Sequence, residues 1–178
     1  QGLRLEIVEG DILTIDGDEI RRVFQNEPYR IIANLPYNIT SHFLRRFLEM
    51  EYHPKEMLLM AQREVGQRIV AKPGQMSLLA VSVQFFSLPK IEFAVKAGSF
   101  SPVPKVDSVI ISLKNIRHNK FNVDQIKFFE TVKLGFSQKR KQLKSLLLQA
   151  NVSSMKPNLA QLTQIFSELG FSSTVRAQ

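Results

Sequence analysis

The chain contains 178 residues, of which 44% are hydrophobic, and this is enough for one ordinary core and a smaller appended unit. It contains no cysteine, which excludes disulfides and thiolate metal sites and is consistent with a reducing, cytoplasmic environment. The three histidines are scattered without the spacing of metal ligands, so we expect no metal site. No apolar run approaches the roughly 20 residues that cross a bilayer, and we expect no membrane association.

Positive charge is concentrated in the last third of the chain. Residues 1–113 contain 13 Lys and Arg against 13 Asp and Glu, whereas residues 114–178 contain 11 against 3 and carry the whole net charge of +8. This asymmetry predicts that the second part of the chain meets a polyanion. A basic surface without a partner is an alternative. A lipid surface fits less well, because no amphipathic helix has an aromatic apolar face.

The first part of the chain alternates short apolar runs with helical patterns. Residues 41–50 carry apolar side chains at the spacing of one helix face, and residues 64–70 predict a second helix. Residues 78–86 could form either a helix or a strand. The predicted strands cover residues 5–8, 30–34, 56–61, 91–95 and 108–113. This alternation predicts an α/β layer fold in which the last two strands form an antiparallel edge.

The second part of the chain begins after a polar linker at residues 115–122 and has helical patterns only. Residues 123–148 predict one or two helices with a break at Gly135, and residues 158–169 predict another that Gly170 ends. We therefore divide the chain into an α/β domain at residues 1–114 and a basic helical domain at residues 115–178.

The most informative segment consists of Asn34, Leu35, Pro36 and Tyr37, at the end of a predicted strand. Ligands of open α/β sheets bind outside the carboxyl ends of strands. The Asn34 side-chain oxygen and a neighbouring backbone carbonyl can each accept a hydrogen bond from an exocyclic amine. Pro36 biases Leu35 toward an extended backbone, which can turn that carbonyl outward. Tyr37 offers a ring on which a base can stack.

These residue types suit the alkylation of an aromatic amine. Accepting both amine protons pushes the nitrogen lone pair out of conjugation and toward an electrophile, and no general base is needed when that electrophile is a methyl sulfonium. The target base must be unstacked or single-stranded to reach such a pocket. On four residues alone, a strand-ending turn is an equal alternative, since Asn-x-Pro is common in turns.

A second segment, residues 98–108, contains two prolines spaced by one residue, which favour a stiff extended loop. Phe100 near its start could stack on the other face of a base, and Lys105 could contact phosphate or form a local ion pair. Taken alone, Phe100 is more often a core residue, and Asp107 is equally well explained as a turn carboxylate.

Together these segments resemble the motifs of one known family. Residues 34–40 (NLPYNIT) resemble the catalytic motif of the KsgA-type small-subunit ribosomal RNA adenine dimethyltransferases, and residues 100–108 resemble that family's Phe-x-Pro-x-Pro-Lys-Val-Asp-Ser motif. Residues 10–13, 62–74 and 136–143 (FSQKRKQL) resemble further stretches of the family, the last being its basic helix motif. The resemblance covers essentially the whole chain. It implies a partial Rossmann-like methyltransferase domain followed by a small all-α domain.

The resemblance also implies a role for each residue that matches the two substrate motifs. Asn34 and the Leu35 carbonyl would hold the target N6 amine, with Pro36 shaping the turn between strand and pocket. Tyr37 and Phe100 would lie on the two faces of the base. Two methyl transfers to one nitrogen would produce N6,N6-dimethyladenosine, and the reaction would require no metal.

The implied methyl donor is S-adenosyl-L-methionine, with Asp11 and Ile12 at its adenine and Asn34 as a further contact. The family's first strand, its glycine-rich cofactor loop and its second strand have no counterpart here. We expect them upstream in a longer enzyme, placed in the sheet between the strands at residues 5–8 and 30–34. We therefore expect this chain alone to lack much of the cofactor site.

The basic second part is expected to contact RNA. Lys139, Arg140, Lys141 and Lys144, together with Lys105, are the predicted phosphate contacts, although a solvated charged face is an alternative. The resemblance implies small-subunit ribosomal RNA and the pre-ribosomal small subunit as partners, and we expect a monomer. The predicted function is the N6-dimethylation of adenines during ribosome assembly.

Other functions share part of these features. A large-subunit adenine methyltransferase of the antibiotic-resistance type shares both motifs, but residues 136–143 and 169–177 favour the small-subunit family. A non-catalytic RNA-binding assembly factor is the alternative if this chain is the whole protein. A DNA adenine methyltransferase is disfavoured by Leu35, because those enzymes typically carry Asp/Asn-Pro-Pro-aromatic.

Overall fold

A computed structural model of the chain describes residues 5, 7–118, 121–138, 140–149 and 157–177. The first part contains α1 (Gly17–Val23), β1 (Arg30–Asn34), α2 (Thr40–Glu49), β2 (Glu56–Gln62), α3 (Arg63–Ile69), α4 (Leu78–Phe86), β3 (Leu88–Val95) and β4 (Ser108–Lys114). The second part contains α5 (Gln125–Ser137), α6 (Leu143–Gln149) and α7 (Leu159–Glu168). Among the described helices, none is long and apolar enough to cross a membrane.

The four strands form one sheet in the order β1-β2-β4-β3. β1 and β2 are parallel, with Asn34 opposite Met60, and β4 is antiparallel to β2 and β3, with Ser108 opposite Gln62 and Val95. The ends of β1, β2 and β3 therefore lie beside the start of β4, at an edge that we call the carboxyl edge. The predicted α/β fold with an antiparallel closing pair is confirmed.

Helices pack on one face of the sheet, which we call the covered face. Leu59 and Ile111 on this face are 0% exposed and belong to the same core as Phe43 and Phe47 of α2. The phenylalanines are four residues apart, so they lie on one side of the helix as predicted. Gly66 of α3 approaches β4 so closely that a Cβ there would lie 2.3 Å from Val109 Cγ2.

The opposite face of the sheet, the open face, leaves apolar side chains in solvent. Ile32 of β1 is 83% exposed, and Phe93 of β3 and Leu58 of β2 are 59% and 38% exposed. In the described part of the chain β1 pairs only with β2, so its outer backbone groups have no strand partner there. Unpaired strand edges and exposed apolar side chains are features through which sheets can associate with further segments.

The strand predicted at residues 5–8 is wrong for its described residues. Leu5, Ile7 and Val8 are exposed and form no strand. Strands are stabilised by pairing, and no described strand lies beside this segment. The segment leads instead into α1, a helix that was not predicted from the sequence. The Asp16 carboxylate caps α1 by accepting the Asp18 N–H.

The second part of the chain differs from its prediction at Gly135. α5 continues through Gly135, which is buried, and a Cβ there would lie 3.2 Å from Ala177 Cβ and 3.3 Å from Leu143 Cδ1. This glycine therefore permits close packing rather than ending a helix. The described residues between α5 and α6, namely 138 and 140–142, are not helical, and the Gln138 carbonyl accepts the Lys141 N–H there.

The predicted helices at residues 41–50, 64–70 and 158–169 are confirmed, whereas the sequence of residues 78–86 is compatible with either a helix or a strand. Residues 78–86 form a helix, α4, and α7 begins with a capping box between Asn158 and Gln161 and ends before Gly170, whose φ is 67°. The described residues of the 115–122 linker form neither helix nor strand. The ring centroid of Phe85 lies 4.4 Å from that of Phe128 and 5.1 Å from that of Phe129, so these contacts pack α4 against α5.

Candidate functional site

Asn34, Leu35, Pro36 and Tyr37, which we call the 34–37 segment, leave the sheet at the carboxyl edge. Asn34 is the last residue of β1 and is exposed, and its pairing with Met60 places its side chain on the open face. Leu35 is half-buried against the core. Pro36 has φ −54° and ψ 134° and precedes a 3-10 turn at Tyr37–Ile39 that leads into α2. The chain thus turns sharply and leaves the Asn34 amide accessible.

Tyr37 is anchored across the end of β2. Its Oη lies 2.7 Å from the Oγ of Ser108, the first residue of β4, and Ser108 is 0% exposed. Ser108 is opposite Gln62, two residues beyond Met60 on β2, so its side chain lies on the same face as that of Asn34. Ser108 was not predicted as an anchor, because its only signal in the sequence is its place at the end of the 98–108 motif.

The 98–108 loop is tied to the same edge by Asp107. Its Oδ1 accepts the Ala97 N–H at 3.0 Å, and its Oδ2 accepts from Lys96 Nζ at 3.2 Å. The Ala97 N–H and the Lys96 ammonium hold the pKa of the Asp107 carboxyl below its usual value. The Asp107 carbonyl also accepts the Arg63 N–H at 3.0 Å, which joins the loop to the end of β2. Asp107 is therefore a structural carboxylate of this loop.

The hydrogen bonds of Asp107 also determine the position of the Phe100 backbone. A 3-10 turn at Ala97–Ser99 ends at Phe100, whose N–H donates to the Ala97 carbonyl at 3.2 Å, and the Phe100 side chain is half-buried. Lys105, further along the loop, is exposed. The two predicted base-contacting aromatics thus belong to segments that are both fixed at the start of β4.

Asp11 and Ile12 lie on a separate turn. Asp11 is exposed and its Oδ1 accepts the N–H two residues further on at 2.8 Å, while Ile12 packs against the core. The turn is held against α2 by the Arg46 guanidinium, which donates to the carbonyl of Ile15. None of the described hydrogen bonds or ring contacts links Asp11 or Ile12 to the 34–37 segment.

These residues can be compared with the chemistry of S-adenosyl-L-methionine. The exposed Asp11 carboxylate suits the exocyclic amine of its adenine, and the exposed Asn34 amide can accept or donate. The side chains of Asp11 and Asn34 are of the right chemical type for this cofactor, but none of the described contacts brings the two residues together. Thr40 Oγ1 and Arg46 Nε are also buried without a hydrogen-bond partner, one at the start of α2 and one beside the Asp11 turn.

The predicted cations are not equivalent. Arg140 and Lys141 are exposed in the turn between α5 and α6, so residues 136–143 do not form the single basic helix that was expected. Lys144 is half-buried and its Nζ donates to Thr163 Oγ1 at 2.6 Å. Lys139 lies outside the described residues.

Comparisons with known proteins give one family. A family model described as ribosomal RNA adenine dimethylase matches residues 1–166. Proteins named ribosomal RNA small subunit methyltransferase A are similar to this chain over most of its length. The one from Dehalococcoides mccartyi is 40% identical over 144 residues, covering 80% of this chain and 49% of the relative. The one from Lactobacillus acidophilus is 33% identical over 179 residues, covering 98% and 59%. The chain spans about half the length of the curated relatives it matches.

Solved structures share the fold. A dimethyladenosine transferase from Plasmodium falciparum superimposes with a TM-score of 0.69 at 22% identity, covering 92% of this chain and 73% of that one. The 23S rRNA methyltransferase ErmE gives a TM-score of 0.71 at 22% identity, covering 97% and 65%. The predicted methyltransferase type of α/β fold is confirmed by these similarities.

Proposed function

The chain belongs to the ribosomal RNA adenine dimethylase family, and on that premise we propose that it forms the substrate-binding and C-terminal part of an S-adenosyl-L-methionine-dependent enzyme. The reaction is the N6-dimethylation of adenines in small-subunit ribosomal RNA. The observation that carries this proposal is the exposed Asn34 amide at the carboxyl edge, on the same face as the Tyr37–Ser108 hydrogen bond. The names of the curated relatives support the small-subunit substrate.

The residues of the carboxyl edge have complementary roles in this proposal. Asn34 Oδ1 and the Leu35 carbonyl accept the two N–H groups of the adenine amine, which directs its lone pair away from the ring. Pro36 holds the extended backbone that presents the carbonyl. Tyr37 and Phe100 contact the two faces of the flipped base. Bound S-adenosyl-L-methionine supplies an electrophilic methyl on a sulfonium.

The cofactor contacts in this proposal are Asp11, Ile12 and Asn34. The Asp11 carboxylate accepts the exocyclic amine of the cofactor adenine, and Ile12 provides an apolar surface beside it. Asn34 stands between cofactor and substrate, because it ends β1 at the carboxyl edge. The Asp11 turn must come close to Asn34 for this site to form.

RNA binding is proposed for the exposed cations. Arg140 and Lys141 in the α5–α6 turn contact phosphates, as does Lys139, which precedes them in the sequence, and Lys105 adds a contact near the base pocket. Lys144 contributes less in this arrangement, because its amine is bound to Thr163. The partner is the pre-ribosomal small subunit, and the enzyme acts as a monomer in the cytoplasm. The concentration of positive charge in residues 114–178 supports a polyanionic partner.

The test is substitution of Asn34 in the protein encoded by the complete gene. Asn34→Ala removes the side-chain acceptor, and we expect methylation to fall roughly 100-fold or more while RNA affinity is unchanged. Gln67→Ala, which removes an exposed amide from α3, is the matched control. Single-turnover methylation and RNA filter binding measure the two effects. Undiminished methylation by Asn34→Ala would remove Asn34 from the reaction.

A large-subunit substrate is the second candidate, and the similarity of fold to ErmE is compatible with it. Reverse-transcription stops at dimethylated adenines, mapped on ribosomal RNA from cells with and without the gene, distinguish the two. Stops in small-subunit RNA are expected. Stops confined to large-subunit RNA would replace the proposed substrate, and RNA binding without any stop would favour a non-catalytic assembly factor.

A further inference from the structure

We propose that Asp107 and Ser108 are positioning residues that fix the two aromatic walls of the base pocket, one residue for each wall. Ser108 holds Tyr37 through its hydroxyl, and Asp107 holds the turn that ends at Phe100. This inference rests on the proposed function, because it requires a base to enter between Tyr37 and Phe100.

Ser108 determines where the Tyr37 ring stands. The Ser108 hydroxyl is completely buried, so it needs a hydrogen-bond partner, and Tyr37 Oη is 2.7 Å away. The backbone of Ser108 is fixed by sheet pairing with Gln62 and Val95. A tyrosine ring has only two side-chain torsions, and anchoring its hydroxyl restricts both. The ring is therefore fixed relative to the sheet before any RNA is bound.

Asp107 fixes the turn that ends at Phe100, and so the position of the Phe100 backbone. Its carboxylate accepts the Ala97 N–H at 3.0 Å and the Lys96 ammonium at 3.2 Å, and the Ala97 carbonyl accepts the Phe100 N–H at 3.2 Å. Two hydrogen bonds thus connect the Asp107 carboxylate to the Phe100 backbone. Bonds to an ionised carboxylate are stronger than neutral ones, so this connection is stiff.

Because the two anchors are adjacent in the chain, they control the distance between the Tyr37 and Phe100 rings. A base stacked between two rings requires the rings to be roughly 7 Å apart, which is twice an ordinary carbon–carbon contact. Because Asp107 and Ser108 are consecutive, the spacing between their two walls depends on one short stretch of backbone. The pocket is then preorganised, and the amine reaches the Asn34 and Leu35 acceptors with little reorganisation.

The first experiment is a double-mutant cycle in the protein encoded by the complete gene. Ser108→Ala and Tyr37→Phe each remove one partner of the hydrogen bond, and each is expected to lower kcat roughly five- to tenfold. The KM for RNA should change less than about twofold, and the double variant should be no slower than either single variant. Ser108→Thr keeps a hydroxyl and should recover most of kcat.

The matched control is Ser112→Ala, which removes another buried β4 serine whose hydroxyl bonds to Glu92 instead. We expect Ser112→Ala to leave kcat unchanged. Loss of activity in Tyr37→Phe but not in Ser108→Ala would show that the phenol acts on the substrate directly and would overturn the role of Ser108. Additive losses in the double variant would overturn it as well. If Ser108→Ala does not fold, Tyr37→Phe decides through the fluorescence of 2-aminopurine at the target nucleotide, which should rise if the anchor is lost and should stay unchanged if the phenol acts only on the substrate.

The Phe100 wall is tested with Asp107→Ala and Asp107→Asn. The alanine variant loses the acceptor for the Ala97 N–H and should lower kcat roughly tenfold, whereas the asparagine variant retains an acceptor and should lose about twofold. Asp124→Ala, which removes the N-cap carboxylate of α5, is the matched control and should leave kcat unchanged. Equal kcat in Asp107→Ala and the unsubstituted protein would overturn this half of the proposal.

A spectroscopic readout separates positioning from a general loss of stability. 2-Aminopurine placed at the target nucleotide is quenched when it stacks on aromatic rings, so its fluorescence in the complex should rise in Ser108→Ala and Asp107→Ala but not in Ser112→Ala. Unchanged quenching would overturn the proposal. Absence of methylation by the unsubstituted protein would refute the proposed function itself, whereas methylation at full kcat in both variants would refute only the positioning roles.

Discussion

The substrate half and the cofactor half of the candidate site are built very differently. Tyr37 and the 98–108 loop are joined at the start of β4 by the Tyr37–Ser108 bond and by the Asp107 carboxylate, across more than sixty residues of chain. Among the described residues, by contrast, Asp11 hydrogen-bonds within its own turn only, and that turn is held by α2. Hydrogen bonds at the carboxyl edge fix the first half, whereas the Asp11 turn contacts α2 and the core, and none of the described hydrogen bonds joins it to that edge.

This difference indicates that base positioning and cofactor binding depend on different strands of the sheet. The substrate half uses β2, β4 and the helices of the covered face, all of which pack within the described chain. The cofactor half would lie beside β1, the strand whose outer edge has no described partner. We therefore expect the position of the target base to be well defined in this chain. Cofactor affinity, in contrast, should depend on whether another strand pairs with the outer edge of β1.

The largest expected effect concerns the cofactor half. Titration of the 178-residue chain with S-adenosyl-L-methionine should give a dissociation constant of about 1 mM or weaker, because the Asp11 turn is not joined to Asn34. The protein encoded by the complete gene should bind at least about 100-fold more tightly if it supplies a partner for β1. Isothermal calorimetry measures both. Micromolar binding by the 178-residue chain would abolish the contrast between the halves.

The next effect concerns packing behind the substrate half. Gly66→Ala places a Cβ 2.3 Å from Val109 Cγ2, the residue after Ser108, and should lower the free energy of unfolding by about 2 kcal/mol. Gly10→Ala, beside Asp11, meets nothing within 4 Å and should change it by less than about 0.5 kcal/mol. Urea denaturation compares the two. Equal effects would contradict the idea that the chain behind the substrate half is more closely packed than the chain at Gly10.

A smaller effect is expected for RNA binding. Arg140→Ala combined with Lys141→Ala removes two exposed cations and should weaken RNA affinity roughly tenfold near 0.1 M salt, while reducing the salt slope by about two. Lys72→Ala, an exposed cation of the first part, is the control. Filter binding at several salt concentrations measures both quantities. A normal affinity and salt slope in the double variant would remove the α5–α6 turn from the RNA surface.

The smallest effect is a pH dependence at the substrate half. The pKa of Asp107 is lowered by the Ala97 N–H and Lys96, so folding favours its ionised form. Its stabilising contribution is present above the unfolded pKa of 3.8 and is lost as pH falls through the lower folded value. Asp107→Asn should therefore reduce the loss of stability between pH 7 and pH 3. Denaturation at both pH values measures this, and identical losses in both proteins would contradict it.

Much of this arrangement was predictable from the sequence. The β strands that ended up paired, α2 and α7 each had a clear periodicity or cap, and the position of Asn34 followed from its place at a strand end. Motif resemblance added the relation between the 34–37 and 98–108 segments. The resemblance could not predict the hydrogen bond between Tyr37 and Ser108, because sequence does not reveal which side chains meet across the end of β2.

The errors have physical causes. Residues 5–8 have strand composition but no described neighbour to pair with, and strand formation depends on pairing more than on composition. Gly135 suggested a helix break, yet its missing side chain is used to admit Leu143 and Ala177. In both places tertiary contacts, or their absence, overrode the local preference. The basic 136–143 motif was likewise expected on one helix, but α5 ends inside it.

The open face also determines how this chain should respond to its solvent. Ile32, Leu58 and Phe93 are apolar and exposed, so kosmotropic salts such as sulfate should favour self-association through them. Phosphate contacts of Arg140 and Lys141 would weaken under the same conditions, because counterions compete for the RNA. Salt therefore acts on the two surfaces in opposite directions. Low ionic strength should favour a monomeric, RNA-bound chain, and high sulfate concentration should favour a self-associated chain without bound RNA.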